Sequence, residues 1–334
     1  MWKNANRAAH CPCAIGFDDL SAGAGAADAH APNGEVRTGD SVESLDRSEE
    51  QAAVFEYPAE VYLRDGRREF EQEDVQGEHT LDVYLDGKLS MRIVCSPFDL
   101  QELVLGRLFT EGVIESADDV EFMYLCEHAT IIRVLLREKR DLRPVSAPII
   151  PSCCTGNKVF EALETVGQGM EPVTPVPWES AWIFRLADLF SGDTPMHRRT
   201  FGAHSCYLAI GDSVLYTCED LGRHNAFDKV IGCALRNHDD LSRAIIYTSG
   251  RIPVDMVTKA IRAGIPILVS KAVPTDLTIE LAREFDLTLI CAARPDSMKV
   301  YNDPRWDGVP STVGEWKVPR LFDAPAAPDD KPAS

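Results

Sequence analysis

Two short stretches of this 334-residue chain concentrate side chains that can do chemistry. In "EDLGRHNAFDKVIGC", residues 219–233, an Arg-His-Asn run follows a glycine where a helix is predicted to begin. In "PSCCTGNKVF", residues 151–160, two adjacent cysteines stand in a Pro- and Gly-flanked loop before another helix. The first pattern is typical of an anion site, and the second is typical of thiol chemistry.

The predicted helix start at Gly222 has the residues that an anion site needs. Backbone N–H groups at a helix N-terminus bind phosphate, Gly222 lets the backbone approach, and Arg223 and His224 add donors. His224 and Asp228 are four residues apart on one helical face, so the carboxylate could fix the imidazole tautomer. In the alternative interpretation these side chains form only a capped, solvated first turn. By residue type alone, Lys229 is predicted to be a plain surface lysine.

The cysteine loop could supply an activated thiol. A helix dipole stabilises the thiolate of a cysteine at the N-terminus, which lowers its pKa, and Lys158 adds positive charge. An exposed thiol of this kind suits covalent sulfur transfer. Cys153 and Cys154 could also be incidental thiols, and a disulfide between neighbours would need a strained ring.

A zinc site is not expected. His204 and Cys206 form a His-x-Cys pair, but zinc needs three or four ligands. The chain has no Cys-x-x-Cys, and it lacks the paired signature of zinc nucleotide deaminases. Cys11 and Cys13 have no other cysteine or histidine cluster near them in sequence. The remaining cysteines lie in apolar stretches, where core packing is the default.

The bulk composition is that of an acidic globular protein. The chain is 45% hydrophobic with a net charge of −19, which argues against nucleic-acid or anionic-membrane partners. No apolar run is long enough to cross a membrane, and the N-terminus lacks the apolar stretch of a secretory signal. Ten scattered cysteines in a long chain indicate free thiols, so a cytoplasmic location is predicted.

Composition and periodicity divide the chain into five parts. These are a disordered acidic tail (1–56), a small α+β domain (57–145), a cysteine loop with helix and linker (146–177), an α/β domain (178–302) and a C-terminal extension and tail (303–334). In the α/β part, short apolar strands alternate with helices, which predicts crossover connections and a largely parallel sheet.

Polar residues gather just beyond the predicted strands of the α/β part. Ligands of open α/β sheets bind beyond the carboxyl ends of the strands, so these positions are candidates for an anion cradle. Besides the Gly222 stretch, they are Thr248, Ser249, Gly250, Arg251, Ser270, Lys271, Thr275, Arg294, Asp296 and Ser297.

Taken together, these stretches resemble one family. "PFDLQELVLGRLFTEGVI", "CCTGNK", "FGAHSC", "EDLGRHNAFDKVIG", "TSGR", "MVTKAIRAGIPILVS" and "PTDLTIELAREFDLTLI" occur in the order seen in the formate dehydrogenase accessory sulfurtransferases, the FdhD family. The resemblance covers about residues 60–302. It implies a larger domain that is similar in fold to cytidine deaminase, without its zinc.

The resemblance also implies a function. Family members take persulfide sulfur from a cysteine desulfurase on a loop cysteine. They pass it to the molybdenum (or tungsten) bis(molybdopterin guanine dinucleotide) cofactor, which then enters formate dehydrogenase. The implied partners are the desulfurase, formate dehydrogenase and a second copy of the chain. The cofactor carries two pyrophosphates and two guanines, which fits the predicted anion cradles.

The carrier role falls on Cys153. The family loop usually reads Cys-Gly-x-Cys-Gly-Lys, and alignment on the lysine of "CCTGNK" places Cys153 at the first cysteine and Gly156 at the second. Whether Cys154 replaces the missing thiol stays open. The implied cofactor-binding residues are Gly222, Arg223, His224, Asn225, Ser249, Gly250, Arg251, Ser270, Ala292, Ala293, Arg294, Pro295, Asp296 and Ser297.

Two other functions remain as alternatives. One is a cofactor chaperone that binds and delivers the dinucleotide without transferring sulfur, and the altered cysteine loop keeps it open. The other is a zinc-type nucleotide deaminase on the similar fold, against which the missing ligand signature argues.

Overall fold

A computed structural model describes residues 53–138, 149–150, 170–192 and 194–306. Within them the chain forms two larger sheets, a separate hairpin and six α-helices. All elements up to Pro304 belong to one unit. The predicted α/β class is confirmed, while likeness to cytidine deaminase stays a prediction. Cys153 and Cys154 lie outside the described residues, as do residues 1–52 and 307–334.

The hairpin comes first in the chain and extends the folded region towards the N-terminus. Strand β1 (Val54–Tyr62) pairs with β2 (Arg68–Gln76) in antiparallel register. β1 begins three residues before the predicted domain start at residue 57, and neither strand of the hairpin was predicted. Most side chains of β2 are exposed, so its sequence "REFEQEDVQ" lacks the alternation of a strand that buries one face.

The first sheet has the order β5-β6-β3-β4-β7. Its strands are β3 (His79–Leu85), β4 (Lys88–Cys95), β5 (Val120–Leu125), β6 (Ile131–Leu136) and β7 (Ile149–Ile150). The β3–β4 turn at Asp86–Gly87 is the predicted one, and both residues have the positive φ that such a turn requires. Helix α1 (Leu100–Thr110) covers one face of this sheet with Leu103, Val104 and Leu108, which are buried against the strands.

The second sheet has the order β13-β12-β11-β10-β8-β9. Its strands are β8 (His204–Ile210), β9 (Ser213–Asp220), β10 (Ala244–Thr248), β11 (Ile267–Ser270), β12 (Thr288–Cys291) and β13 (Lys299–Asn302). Its helices are α2 (Ser180–Ser191), α3 (Pro195–Thr200), α4 (Arg223–Arg236), α5 (Val254–Arg262) and α6 (Asp276–Glu284). Residues from α4, α5 and α6 fill the core on one face, and α2 covers the other.

The prediction of a largely parallel sheet was wrong. Only β10, β11 and β12 run parallel, so three of the five pairings are antiparallel. A two-residue turn joins β8 to β9, and so short a link allows only an antiparallel pair. The short strand β13 follows the turn at Arg294–Ser297 and lies at the end of the predicted α/β domain, where no strand was predicted.

Two glycines bring the sheets together through their helices. An added Cβ at Gly106 in α1 would lie 1.8 Å from the backbone oxygen of Asp228 in α4. An added Cβ at Gly232 in α4 would lie 1.9 Å from the backbone oxygen of Glu102. Both distances are too short for any side chain, so α1 and α4 cross backbone to backbone. No helix of the described residues is long and apolar enough to span a membrane.

Candidate functional site

The predicted polar positions converge on one edge of the second sheet. His204 at the start of β8 pairs with Asp220 at the end of β9, and Thr248 at the end of β10 pairs with Ser270 at the end of β11. We call this the strand-end edge. The segments that follow these strands therefore lie side by side, although they are far apart in sequence.

The start of α4 is buried rather than solvated. Asn225 donates its side-chain amide to the carbonyl oxygen of Val94 on β4, at 2.9 Å, and to the carboxylate of Asp220, at 2.8 Å. The backbone N–H of Gly222 also donates to Asp220, at 3.0 Å. Asn225 thus ties the strand-end edge to the first sheet, whereas Gly222 is held to Asp220 within the second sheet. The role of both residues in binding a cofactor stays a prediction.

Lys229 is a core residue, so its prediction as a surface lysine was wrong. Its side chain is fully buried, with the ammonium 2.8 Å from the carboxylate of Asp220 and 4.1 Å from the ring centre of Phe98. Burial alone would lower the pKa of Lys229, but nearby carboxylates, Asp220 first, raise it above the ordinary value. The sequence shows that Lys229 is charged, but it does not show that the carboxylate of Asp220 allows this charge to be buried.

The imidazole of His224 contacts Asp255 rather than Asp228, so the predicted pairing was wrong. Its Nε2 lies 2.7 Å from Oδ2 of Asp255 on α5. Burial lowers the pKa of His224, and the carboxylate of Asp255 only partly offsets this effect. Asp228 contacts other groups: it accepts hydrogen bonds from Lys259, at 2.6 Å, and from the hydroxyl of Thr110, at 2.8 Å.

These contacts form a buried polar junction between three helices, defined by Arg107, Thr110, Asp228 and Lys259. Arg107 on α1 is fully buried, 3.7 Å from the Asp228 carboxylate and 2.9 Å from that of Glu111. Burial lowers the pKa of Lys259, against the opposing charge of Asp228. The interpretation of Asp228 as part of a solvated first turn is therefore excluded.

A cleft opens at the strand-end edge and has two adjoining pockets. The His204 pocket has a volume of about 300 Å³, and its polar lining comprises Thr194, His197, His204, Ser205, Ser249 and Lys271. The Arg294 pocket has a volume of about 470 Å³ and is lined by Tyr247, Lys271 and Ala293–Asp296, among others. Phe190 and Lys271 line both pockets, so the two pockets adjoin.

Hydrogen bonds from neighbouring strands hold the His204 pocket in shape. Nδ1 of His204 lies 3.0 Å from Oγ of Ser249, which also accepts the backbone N–H of Ser205 at 3.1 Å. Burial, followed by the charge of Arg223, lowers the pKa of His204. These surroundings therefore favour the neutral form of the ring at neutral pH.

A buried glutamate positions the helix that lies over this pocket. Glu219 at the end of β9 accepts the backbone N–H groups of Met196 and His197, each at 2.8 Å, and the hydroxyl of Thr194. Because a carboxylate at a helix start satisfies otherwise unpaired donors, Glu219 fixes the first turn of α3. That turn carries His197 into the pocket lining.

The Arg294 pocket is built on a tight turn after β12. Ala292 has a left-handed φ of 49°, and the N–H of Arg294 donates to the carbonyl oxygen of Ser297 at 2.8 Å. The phenol of Tyr247 donates to the carbonyl oxygen of Ala293 at 2.8 Å and supports the turn from below. Arg294, Pro295 and Asp296 are consequently exposed along the cleft, and Ser297 closes the turn.

The remaining predicted residues differ in what they contact. The hydroxyl of Ser270 is buried and donates to the carbonyl oxygen of Gly250 at 2.6 Å. Gly250 lacks a side chain where Arg223 packs, since an added Cβ would lie 2.5 Å from Cδ of Arg223. Arg251 is exposed. The structure thus brings Ser249 and Ala293–Asp296 into the cleft lining, whereas Ser270 and Gly250 bond to each other and do not line either pocket.

Sequence reasoning missed the part of the cleft that comes from α2 and α3. Phe190 lies in the last turn of α2, Thr194 directly precedes α3, and His197 lies in the first turn of α3. A signal for them was present, since "TPMHRRT" combines a helix-start proline with three basic side chains in an otherwise acidic chain. The sequence does not show that this short helix lies over the strand-end edge.

The thiols of the described residues mostly pack in the cores. Cys206 of the predicted His-x-Cys pair is completely buried, and burial raises its pKa. Burial likewise raises the pKa of Cys291 to about 12. No group of three or more His, Cys, Asp or Glu residues in the described ranges is placed to hold a metal ion.

Comparisons with known proteins identify the family. A profile of the FdhD/NarQ family matches residues 76–306, which include both sheets and the cleft. The sulfur carrier protein FdhD of Bacillus subtilis (strain 168) is 31% identical over 230 residues, 68% of this chain and 87% of that protein. The sulfur carrier protein FdhD of Streptomyces avermitilis is 30% identical over 257 residues, 72% of this chain and 91% of that protein.

A solved structure agrees with this result. The crystal structure of a protein described as a formate dehydrogenase accessory protein from Desulfotalea psychrophila superposes with a TM-score of 0.63. It is 27% identical and covers 76% of this chain and 98% of its own. The match to most of the chain at the levels of profile, sequence and structure shows that the chain belongs to the FdhD/NarQ family.

Proposed function

We propose that the protein is a sulfur carrier for formate dehydrogenase. It takes persulfide sulfur from a cysteine desulfurase and passes it to the bis-guanine-dinucleotide cofactor of molybdenum or tungsten, which is its substrate. Support comes from family membership and from relatives whose names are sulfur carrier protein FdhD. We further propose that it acts in the cytoplasm as a homodimer.

The cleft at the strand-end edge is the observation that carries this proposal. Its two pockets adjoin, so they can take an elongated ligand with two phosphate-bearing arms, one in each pocket. Lys271 lies between them, with Arg294 at one side and His197 and His204 at the other. Cationic and neutral donors over helix and strand ends are the groups that bind phosphate.

The sulfur step is assigned to Cys153. Its thiolate attacks the outer sulfur of the desulfurase persulfide, the S–S bond of that persulfide breaks, and the desulfurase cysteine leaves as a thiolate. The outer sulfur is then bonded to Cys153. Transfer of this sulfur to the cofactor as sulfide breaks the new S–S bond, requires two electrons from a dithiol reductant and regenerates the thiolate of Cys153.

Peptide mass spectrometry tests the proposal directly. The protein is incubated with a cysteine desulfurase and cysteine, and the peptide that contains Cys153 and Cys154 is examined for one additional sulfur atom. We expect the addition in the wild type and in Cys154→Ala, and its loss in Cys153→Ala. Loss only in Cys154→Ala would move the carrier by one residue, and no addition with an active desulfurase would refute sulfur transfer.

A cofactor chaperone that transfers no sulfur is the second candidate. The observation that favours it is the loop "CCTGNK", in which Gly156 stands where the family usually has a second cysteine. Under this function, Cys153→Ala would leave activation of formate dehydrogenase intact. If the protein is a sulfur carrier, we expect Cys153→Ala to abolish this activation, as measured by formate oxidation in cells that lack the wild-type gene.

A further inference from the structure

The charge of the His204 pocket is opposite to that of the protein. The chain has 53 acidic residues against 34 lysines and arginines, yet none of the described residues that line this pocket carries a carboxylate. Its titratable lining groups are His197, His204 and Lys271. A local patch of this kind attracts an anion despite the repulsion from the rest of the surface.

The hydrogen bonds of His204 determine what the ring can offer to such an anion. A neutral imidazole has one N–H and one acceptor nitrogen, whereas an imidazolium has two N–H groups. Nδ1 is occupied by Ser249, whose hydroxyl oxygen can accept an N–H as readily as it can donate. A protonated His204 therefore keeps its contact with Ser249 and donates a second N–H into the pocket.

At neutral pH the surroundings of His204 favour the neutral ring as long as the pocket holds no anion. The charged and titratable groups that face it are Arg223 and His224 from α4, His197 from α3, Asp220 from β9 and Lys271 beyond β11. Burial, then Arg223 and His197, lower the pKa of His204, and the opposing charge of Asp220 does not offset them. Two negative phosphates beside the ring would act in the opposite direction and favour the imidazolium.

We propose that the His204 pocket binds a diphosphate ester together with one proton, which His204 takes up. The choice of a diphosphate rests on the proposed function, whereas the coupling to a proton rests on the pocket itself. Between the pKa of His204 in the free protein and its higher value in the complex, affinity falls as pH rises, by up to about tenfold per pH unit. Above both values the coupling disappears.

Calorimetric titration measures the proton. The ligand is diguanosine diphosphate, both phosphates of which are esterified and so hold no proton that titrates near neutral pH. Binding enthalpies are compared in two buffers with different ionisation enthalpies from about pH 5.5 to about pH 8, the range in which histidine titrates. We expect the wild type to take up close to one proton per ligand in the lower part of this range.

Variants assign the proton to its site. His204→Gln should bind more weakly at acidic pH, with uptake near zero and a flat pH profile. His128→Gln is the control, because His128 is exposed in the turn between β5 and β6 and should behave as wild type. Absence of uptake in the wild type, absence of binding, or unchanged uptake in His204→Gln would each overturn the proposal.

A measurement on the wild type covers the case in which His204→Gln does not fold. In protein labelled with ¹⁵N-histidine, one ring should change from the neutral to the protonated pattern when the ligand is added at a fixed pH in the lower part of the same range. If all ring signals keep their protonation state at saturation, the coupling is refuted. Either result leaves the persulfide on Cys153 untouched, so failure here and failure of sulfur transfer are separate outcomes.

Discussion

The polar side chains of α4 and those of the cleft look alike in sequence but do different things in the structure. Asp228 and Lys229 are completely buried and ion-paired, with partners on α5 and β9. Lys271 and Arg294 are at least partly exposed and line a cavity. Charge in a motif therefore does not distinguish a residue that holds the fold together from one that meets a ligand, because the distinction lies in elements distant in sequence.

The largest loss of stability should come from removing the negative charge of Asp228 in the buried polar junction. Asp228→Asn keeps the shape of the side chain but leaves Lys259 and Arg107 buried without their shared carboxylate. A buried charge that has lost its partner destabilises strongly, so we expect the free energy of unfolding to drop by about 3 kcal/mol. Urea unfolding, followed by circular dichroism, measures the change.

The matched control is an exposed ion pair. Asp212→Asn removes the partner of Arg185, and these side chains are 44% and 65% exposed. Such pairs contribute at most about 1 kcal/mol. If Asp228→Asn and Asp212→Asn lower the free energy of unfolding equally, the buried polar junction does not stabilise the packing of the three helices.

A smaller but clear loss of stability is expected from closing the gap between α1 and α4. Gly106→Ala places a methyl group where the backbone oxygen of Asp228 lies, so the helices must move apart. Overpacking of this kind costs about 1–3 kcal/mol. Gly192→Ala is the control, since the nearest atom would lie 3.4 Å away, an ordinary contact. Equal thermal midpoints for the two variants would contradict the close crossing.

Substitution of a residue that lines the cleft should have the smallest effect on stability and a large effect on ligand binding. Lys271→Ala removes a partly exposed side chain, so unfolding should change by less than about 0.5 kcal/mol. Loss of a charge-assisted contact should weaken the binding of diguanosine diphosphate by at least about tenfold. Lys88→Ala on β4, also an exposed lysine, should change neither quantity. If Lys271→Ala lowers the free energy of unfolding, Lys271 stabilises the fold, as the residues of the buried polar junction do.

Local patterns predicted most of the elements because their signals are local. The runs that became β10, β11 and β12 are short and apolar, and the helices between them bury one face. β2 was missed because few of its side chains are buried, so nothing selects an alternating pattern. Strand direction was mispredicted because the alternation of strands and helices along the chain does not show that β8 lies between β9 and β10 in the sheet.

The sequence predicted residues of the candidate site only where they come directly after a strand. Ser249 and Arg294 come directly after strands, and the rule that ligands bind at strand ends finds such residues. His197 reaches the cleft through Glu219, a contact between two segments that no local pattern connects. The same reason explains why the partner of His224 was assigned to its own helix instead of α5.

The glycine crossing of α1 and α4 has a consequence for how ligand binding would be detected. Because no side chain separates the two helices, we expect the two sheets to open together as one cooperative unit. A ligand that binds only the folded state slows every opening that destroys its site. Amides of β3 and β4, in the other sheet, should then exchange with deuterium more slowly when the cleft is occupied, and would report on binding from a distance.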